Sequence, residues 1–409
     1  MPKLSLFQGY GIELEYMIVE SKSLNILPLS DEVMRAVAGR YTREVNTGII
    51  GWSNEFVLHV LELRNIKPIA SILELLQPFQ NQVTHINGIL REWCGQLMPT
   101  AMHPWMNPKK ETHLWHHQNR HIYETYNRIF DCMRHGWANI QSTQINISFD
   151  NDDEFGRLHA ALRLLLPIIP AIAASSPIVE GNITDFKDNR LFFYLNNQKK
   201  VPSIAGMIVP EAILKRRDYK KFILEKMYKD VSKHDPEGIL KHEWLNSRGA
   251  IPRFDRSAIE IRISDAQECP LADIAISIAI AEVLKALVKE QWIGWHEQAL
   301  WKTAPLFSIL KNTIKNAESA LINDSAYLKV FGYPKPRASA KELWQHLIQE
   351  IFKTETETQI RDTLSFIVEN GTLSKRILKA VKKNPSRKRI HAVYERLCNC
   401  LAEGKLFSV

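Results

Sequence analysis

Polar and apolar residues alternate along several segments of the chain, which is the pattern of β-strands with one buried face. The alternation is clearest in "SAIEIRISD" and is also present in "GIELEYMIV" and "QSTQINISF". A fourth segment, "EFVLHVLELRNIKP", is rich enough in β-branched and apolar residues for a strand that ends near Pro68. The predicted strands span residues 257–265, 11–19, 141–149 and 55–68.

Apolar residues recur every three or four positions in longer stretches, which indicates amphipathic helices. Helices are predicted at residues 71–97, 157–173 and 270–292, and the pattern is helical from Trp292 to the end. Strands are therefore concentrated in the first two thirds of the chain, which favours an α+β fold over alternating α/β. We expect an α+β core at 1–292 and a mainly helical region at 293–409 that packs on it as one structural unit.

Each predicted strand carries two polar residues, two positions apart, on the face opposite its apolar residues. The pairs are Glu13 with Glu15, Glu62 with Arg64, Gln144 with Asn146, and Glu260 with Arg262. One such pair is ordinary, because strands of antiparallel sheets often have one solvated face. Four pairs made of acids, amides and arginines instead predict one shared polar site.

Several glutamates on one sheet face repel one another, at a cost of roughly several kcal/mol unless cations neutralise them. Carboxylate ligands without a Cys or His cluster favour Mg²⁺ or Mn²⁺ over zinc. The arginines Arg64 and Arg262 can bind phosphate or carboxylate through two parallel hydrogen bonds. Glutamates, metal ions and arginines together indicate phosphoryl transfer. The sequence contains no Walker A motif, kinase glycine loop or G-x-G-x-x-G between strand and helix, so a nucleotide must bind in another way.

The composition is that of a globular protein, with 45% hydrophobic and 24% charged residues. The longest apolar run, at 164–174, is short and contains two prolines, so no transmembrane helix is predicted. The sequence enters the strand pattern without a leader peptide, which predicts a cytoplasmic protein. Five cysteines, of which only Cys398 and Cys400 are close together, indicate neither a disulfide framework nor a zinc site.

The net charge of +8 admits anionic partners, and much of the excess lies at 374–389. Because charged residues at helical spacing usually form a solvated face, nucleic acid is not expected as a partner. In "ETHLWHHQNRH", helical spacing would place His113, His117 and His121 on one face, but no nearby cysteine supports a zinc site there, and none is predicted. Ser175 and Ser176 lack a partnered His and Asp, so they predict the end of a helix rather than a nucleophile.

Several motifs together resemble one protein family. "GIELEYMIVE", "VLELRNIKP", "MHPWMNPKKETHLWHH", "HGWANIQSTQINISF", "AIAASSPIVEG" and "AIEIRISDAQ" occur in the order and approximate spacing of the glutamate–cysteine ligase family, specifically its carboxylate–amine ligase branch. The resemblance covers residues 9–290 and, more weakly, 369–378. Six motifs in this order are specific, although each alone is common.

The resemblance implies a fold shared with glutamine synthetase and guanido kinases. That fold has a curved antiparallel sheet whose concave face binds ATP and Mg²⁺ or Mn²⁺, with helices packed on the outer face. It also implies a reaction in which ATP phosphorylates a side-chain carboxylate, such as the γ-carboxylate of glutamate, and an amine then displaces the phosphate. The expected partners are a small-molecule carboxylate and an amine, and a homo-oligomer is compatible with the sequence. The sequence does not identify the amine.

The resemblance also implies roles for individual residues. Arg262, Arg190 and Arg64 are expected to act in catalysis, and Arg190, Asn146 and Arg253 to contact the nucleotide. The expected metal ligands are Glu13, Glu15, Glu55, Glu62, Gln144 and Glu260. At Gln144 the family typically has histidine, so one metal should be bound more weakly here.

Two questions stay open at this point. Glu55 and Glu62 are seven residues apart and would lie on opposite faces of a regular strand, so either a bulge intervenes or Glu55 precedes the strand. Two other functions also fit the pattern. One is a phosphagen-type kinase that stops at phosphoryl transfer, and the other is a non-enzymatic protein that retains the fold and binds RNA or another anion.

Overall fold

The computed structural model describes residues 4–352 and 358–409. Its strands are β1 Tyr10–Glu20, β2 Glu44–Asn46, β3 Ile50–Asn54, β4 Val60–Asn65, β5 Gly95–Met98, β6 Ser142–Ser148, β7 Ile178–Val179, β8 Asn182–Ile183, β9 Ala250–Arg253, β10 Ala258–Asp265, β11 Leu321–Ile322 and β12 Ala338–Ser339.

The helices up to α10 are α1 Ser30–Ala38, α2 Leu76–Leu90, α3 Pro108–Glu111, α4 Arg120–Phe130, α5 His135–Ala138, α6 Asp152–Leu165, α7 Pro170–Ala173, α8 Asn189–Tyr194, α9 Arg216–Tyr219 and α10 Glu225–Val231. Those that follow are α11 Pro270–Val288, α12 Trp295–Leu300, α13 Thr303–Asn316, α14 Ser325–Val330, α15 Ala340–Ile351, α16 Thr358–Asn370, α17 Leu373–Val381 and α18 Arg387–Glu403. The predicted α+β class is confirmed.

One large antiparallel sheet has the strand order β2-β3-β4-β1-β6-β10-β9, with β5 paired to the C-terminal half of β1. The register places Glu15 opposite Glu62, and Glu13 between Arg64 and Gln144. On the next strand pair, Glu260 lies opposite Asn146. Residues opposite each other in a sheet share a face, so the prediction that the four polar pairs form one face is confirmed.

The apolar residues of the same strands form the other face of the sheet. Ile12, Leu14 and Tyr16 of β1 are almost fully buried in the main hydrophobic core. Helix α11 supplies much of that core, because nearly every residue between Pro270 and Leu287 is buried. The helices thus cover the apolar face, while the polar face is free to build a site.

Two predicted elements have boundaries that differ from those expected from the sequence. Strand β4 begins only at Val60, so Glu55 lies in the turn before it, and the second of the two explanations for the Glu55–Glu62 spacing is confirmed. The helix predicted at 71–97 is wrong in its last residues, since α2 ends at Leu90 and residues 95–98 form β5. Between them Cys94 adopts a left-handed backbone conformation with φ of 52°, which reverses the chain.

The C-terminal helices pack on the core. Trp344 of α15 donates its indole N–H to the carbonyl oxygen of Ile168. Arg376 of α17 forms an ion pair with Glu268, just before α11, and both side chains are buried. The expectation of a solvated basic face is therefore wrong for Arg376, whereas Lys379, Lys382 and other neighbours are exposed. The boundary at residue 292 stays a prediction.

No helix in residues 4–352 and 358–409 is long and apolar enough to span a bilayer. All five cysteines are free thiols.

Candidate active site

Three glutamates converge on the polar face of the sheet. Glu15 lies on β1, Glu62 on the neighbouring β4, and Glu55 in the turn that follows β3. One carboxylate oxygen of each lies within 4.8 Å of the others. Glu55 reaches the group because the chain turns between β3 and β4, and its carboxylate accepts a hydrogen bond from the backbone N–H of Phe56. The spacing is that of oxygens that can share a cation.

These carboxylates carry more negative charge than their surroundings offset. Burial raises the pKa of Glu55 well above its usual value, and the nearby charges of Glu15 and Glu62 raise it further. The pKa of Glu15 is raised by burial and then by Glu62. Glu13 shows the same effect, since burial and repulsion from Glu62 and Glu260 hold its pKa well above normal. A hard divalent cation fits this oxygen donor set, because it would favour the ionised form of each group.

Amides of β6 orient the glutamates of β1. Glu15 accepts hydrogen bonds from the backbone N–H of Ser142 at 2.7 Å and from Nε2 of Gln144 at 2.9 Å. On the same strand, Nδ2 of Asn146 donates to Glu13 at 3.0 Å. The predicted ligand Gln144 and the predicted nucleotide contact Asn146 thus both hold carboxylates in place.

Glu260 has a different environment from the other predicted metal ligands. Its two carboxylate oxygens face two arginines, with Arg253 Nη1 at 3.1 Å and Arg262 Nε at 3.0 Å. Arg262 also donates to the carbonyl oxygen of Asn246 at 3.4 Å. The negative charge of Glu260 is therefore already compensated by protein groups, and its role as a ligand stays a prediction.

The other two predicted arginines are held by acids. Arg64 contacts Glu44 at 3.1 Å and Glu62 at 3.6 Å. Arg190 is almost completely buried, and its Nε donates to Asp265 at 2.9 Å, with further bonds to backbone carbonyls of β10. Most of its guanidinium therefore anchors α8 to the end of β10, although the side chain also lines a cavity.

A cavity of about 430 Å³ lies over these groups. Its wall includes five glutamates and five arginines, namely Glu13, Glu44, Glu55, Glu62, Glu260, Arg43, Arg64, Arg253, Arg256 and Arg262. Arg43, Glu44 and Arg256 were not predicted from the sequence. Arg43 directly precedes the edge strand β2, Glu44 is the first residue of that strand, and Arg256 lies in the turn before β10. No periodic pattern marks a polar residue at these positions.

A larger cavity of about 650 Å³ adjoins the central one and shares Glu13, Arg64 and Arg256 with it. Its more apolar wall is formed by Leu4, Ile66, Pro68 and Phe254, together with other residues. Gly11 lies on its floor, where a Cβ atom would lie only 3.1 Å from Cβ of Asn146. The missing side chain at Gly11 keeps this part of the sheet surface flat.

A third cavity of about 270 Å³ adjoins the central one on its other side and shares Glu55, Gln144 and Arg262 with it. Its wall is aromatic, with Phe56, Tyr123, Tyr126, Trp137, Tyr194 and Trp244. Glu15 and Arg190 also reach it. The three cavities thus run in series across the polar face, with the charged one in the middle.

The structure also locates the serines and histidines that the sequence analysis discounted as nucleophiles or zinc ligands. The backbone N–H of Ser175 and the hydroxyl of Ser176 bond to Asp265 just beyond α7, which confirms their structural role at a helix end. The helical spacing expected for His113, His117 and His121 is wrong, because residues 112–119 are not helical.

Comparison with known proteins identifies the family of the chain. The family model of glutamate-cysteine ligase family 2 matches residues 10–398. A protein of Archaeoglobus fulgidus, described as uncharacterized, is 32% identical over 397 residues, which are 97% of this chain and 99% of that protein.

Two solved structures share the fold at 13% sequence identity. Glutamate–cysteine ligase of Francisella tularensis in complex with AMP has a TM-score of 0.60, with 95% of this chain and 88% of that chain covered. A bifunctional glutathione synthetase of Pasteurella multocida has a TM-score of 0.56, with 98% and 52% covered. The chain therefore spans about half the length of the bifunctional enzyme.

Proposed function

The chain belongs to glutamate-cysteine ligase family 2, a family of ATP-dependent carboxylate–amine ligases, and on this premise we propose how its site works and what it joins. The acid is glutamate, or a similar small acid, activated at its side-chain carboxylate, and the second substrate is an amine. The observation that carries the proposal is the group Glu15, Glu55 and Glu62, surrounded by arginines between an apolar and an aromatic cavity.

ATP is expected to lie across the apolar and central cavities. The wall of Ile66, Pro68 and Phe254 suits a purine ring, and the flat floor at Gly11 lets the ring approach the sheet. The triphosphate would then extend towards Arg64, Arg256 and Arg262, whose guanidinium groups can bind phosphate oxygens. Of the residues predicted to contact the nucleotide, Asn146 lines the apolar cavity, Arg253 the central one and Arg190 the aromatic one.

Mg²⁺ or Mn²⁺ would be held by Glu15, Glu55 and Glu62, with Glu13 and the carbonyl oxygen of Gln144 as further ligands. When bound, such ions offset the charge of the triphosphate and polarise the phosphorus that is attacked. The residues around them position the acid, keep its carboxylate in line with the γ-phosphate and exclude water.

The reaction then has two steps. A carboxylate oxygen of the acid attacks the γ-phosphorus, the bond to the β,γ-bridging oxygen breaks, and ADP leaves. The amine next attacks the acyl carbon, phosphate leaves, and the nitrogen loses a proton as the amide forms. Arg262, beside Glu260, reaches both the central and the aromatic cavity, so it can stabilise charge in both steps.

The test is a substrate screen with the full chain, ATP, Mg²⁺ and glutamate. An amine-dependent release of ADP, with a product mass equal to acid plus amine minus water, would support the ligase. Hydroxylamine should trap the activated acid as a hydroxamate even when the natural amine is unknown. ADP release without any hydroxamate, and with a stable phosphorylated product, would instead identify the phosphagen-type kinase.

We place this reaction in the cytoplasm, where free thiols such as the five cysteines persist. RNA is not proposed as a partner, because part of the basic segment serves the fold itself. Arg376 pairs with Glu268, and Arg389 donates to the carbonyl oxygen of Ala380. A carboxylate and an amine remain the proposed substrates.

A further inference from the structure

A second group of potential ligands lies outside the central cavity. Asp31 in the first turn of α1 meets two consecutive histidines, His116 and His117, from the loop between α3 and α4. One ligand atom of each lies within 4.8 Å of the others. Asp31 supplies the acid of this group from a position 85 residues before His116.

Both imidazoles present the same nitrogen to the same carboxylate oxygen. Nε2 of His117 lies 2.8 Å from Oδ2 of Asp31, and Nε2 of His116 lies 4.0 Å from it. Oδ1 of Asp31 is occupied by the backbone N–H of Glu32 at 2.9 Å, so Oδ2 is the atom turned towards the histidines. Zn²⁺ binds nitrogen and oxygen ligands at about 2.0–2.2 Å, so the three atoms would move towards a shared ion on binding.

The surroundings hold these side chains in position. The ring of His117 is stacked on Tyr41, with centroids 4.4 Å apart, and meets the edge of Trp115 at 5.1 Å. The hydroxyl of Tyr41 in turn donates to Glu32 at 2.6 Å. Partners of this kind fix the orientation of ligands before a metal binds.

Exposure leaves room for an ion and for further ligands. The side chain of Asp31 is 9% exposed, that of His117 19% and that of His116 60%. The group is therefore anchored on its protein side and open on the side of His116. Two imidazoles and one carboxylate with open positions favour Zn²⁺ or another late first-row metal over Mg²⁺, which prefers oxygen ligands.

We propose that Asp31, His116 and His117 form a transition-metal site, selective for Zn²⁺-like ions and separate from the glutamate group of the central cavity. The site joins two segments that flank the central cavity. One runs from α1 to Arg43 and Glu44, which line the cavity. The other is paired with the chain just after Glu55, through the bonds from Leu58 N–H to His113 and from Trp115 N–H to Phe56. A metal here would fasten these segments together.

The experiment uses the full chain without a histidine tag, stripped with chelator and returned to excess Mg²⁺, which occupies oxygen-rich sites. Zn²⁺ retained after gel filtration is measured by elemental analysis, and Co²⁺ is added separately to record its visible d–d bands. We expect one Zn²⁺ per chain, and Co²⁺ bands typical of nitrogen and oxygen ligands.

The variants His117→Gln and Asp31→Asn should lose this retention, whereas His121→Gln, an exposed histidine of α4 outside the group, should keep it. Melting curves in chelator establish that each variant is folded, and added Zn²⁺ should raise the melting temperature of the wild type and of His121→Gln only. Absence of retained Zn²⁺ in the wild type, or equal retention in Asp31→Asn, would overturn the proposal. Neither result depends on ligase activity.

Discussion

Nε2 of Gln144 lies 2.9 Å from Oε1 of Glu15, across the junction of β6 and β1. The amide therefore donates to a carboxylate of the glutamate group and leaves its carbonyl oxygen for a cation. An amide oxygen is a weaker ligand than an imidazole nitrogen or a carboxylate. The contact explains how glutamine can occupy a position where histidine is expected from the family.

We predict that Gln144→His lowers the concentration of free Mg²⁺ or Mn²⁺ needed for half-maximal activity. An imidazole can donate to Glu15 through one nitrogen and bind the cation through the other. Activity should also become sensitive to pH near 6.5, where an unperturbed histidine titrates. Activity titrations with each metal at fixed ATP, at several pH values, provide the measurement. An inactive variant whose metal dependence is unchanged would show that the amide contacts substrate instead.

Replacement of Glu55 by Gln should abolish activity and yet stabilise the metal-free protein. The change removes one charge from a buried, mutually repelling group, a gain on the order of 1 kcal/mol in the free energy of unfolding. Melting curves with and without Mg·ATP give both parts of the result. The stabilisation by Mg·ATP should shrink in this variant.

Glu44→Gln is the matched control for Glu55→Gln. Glu44 lines the same cavity, but its side chain is 56% exposed and pairs with Arg64 at 3.1 Å. Its neutralisation should leave the response to Mg·ATP nearly intact. Equal stabilisation of Glu55→Gln and the wild type by Mg·ATP would remove Glu55 from the metal ligands.

Arg262→Lys is expected to lower kcat/KM by roughly 10²-fold or more, because an ammonium cannot reproduce a planar two-point contact with phosphate or carboxylate. Arg43→Lys serves as the control, since Arg43 lines the same cavity but is exposed and is not among the arginines proposed to bind the triphosphate. Steady-state kinetics of both variants give the two losses in kcat/KM for comparison. Similar small losses in the two would mean that Arg262 only balances the charge of Glu260.

The polar face was predictable because its signal is local. A period of two places Glu13 and Glu15, or Glu260 and Arg262, on one side of a strand whatever its neighbours are. This alternation within a strand can be recognised without knowing the order of the strands in the sheet. For this reason four separate segments could be assigned to one site before their pairing was known.

Other site residues depend on contacts that the sequence does not encode locally. Arg43 and Glu44 lie at a three-residue edge strand, too short for a recognisable alternation. Tyr123 reaches the cavities from α4. Asp31 and His117 meet only because α1 and a distant loop pack together. Such long-range neighbours require the tertiary structure.

Acid should destabilise the protein through buried neutral histidines. Nε2 of His103 donates to the carbonyl oxygen of Leu24 at 2.7 Å, and Nδ1 accepts the N–H of Trp105 at 3.3 Å. Burial lowers the pKa of His103 to about 3 and that of His59 to about 4. In the unfolded chain the histidines have a pKa of about 6.5. The stability that comes from keeping them neutral in the folded protein is therefore fully present above about pH 6.5, and it is lost as the pH falls towards their pKa values in the folded protein.

The variant His103→Gln isolates this effect from the raised pKa values of the glutamates, which act in the opposite direction. Between about pH 6 and pH 4.5, its free energy of unfolding should fall less steeply than that of the wild type, by up to about 1.4 kcal/mol per pH unit. Urea unfolding at several pH values measures the slope. Parallel slopes for the two proteins would mean that His103 is protonated in the folded state.

The ion pair of Arg376 with Glu268 predicts that the C-terminal helices and the sheet unfold together. Both side chains are buried, and Nη1 of Arg376 also donates to the carbonyl oxygen of Phe407 at 2.8 Å. Arg376→Met would leave the charge of Glu268 buried and unpaired, at a cost of about 3–5 kcal/mol, and the double variant with Glu268→Gln should recover part of it. Lys379→Met, an exposed change in the same helix, should be nearly neutral.

Calorimetry should show one transition for the wild type and one, at lower temperature, for Arg376→Met. Two separate transitions, with only the C-terminal one shifted, would instead establish a domain boundary near residue 292.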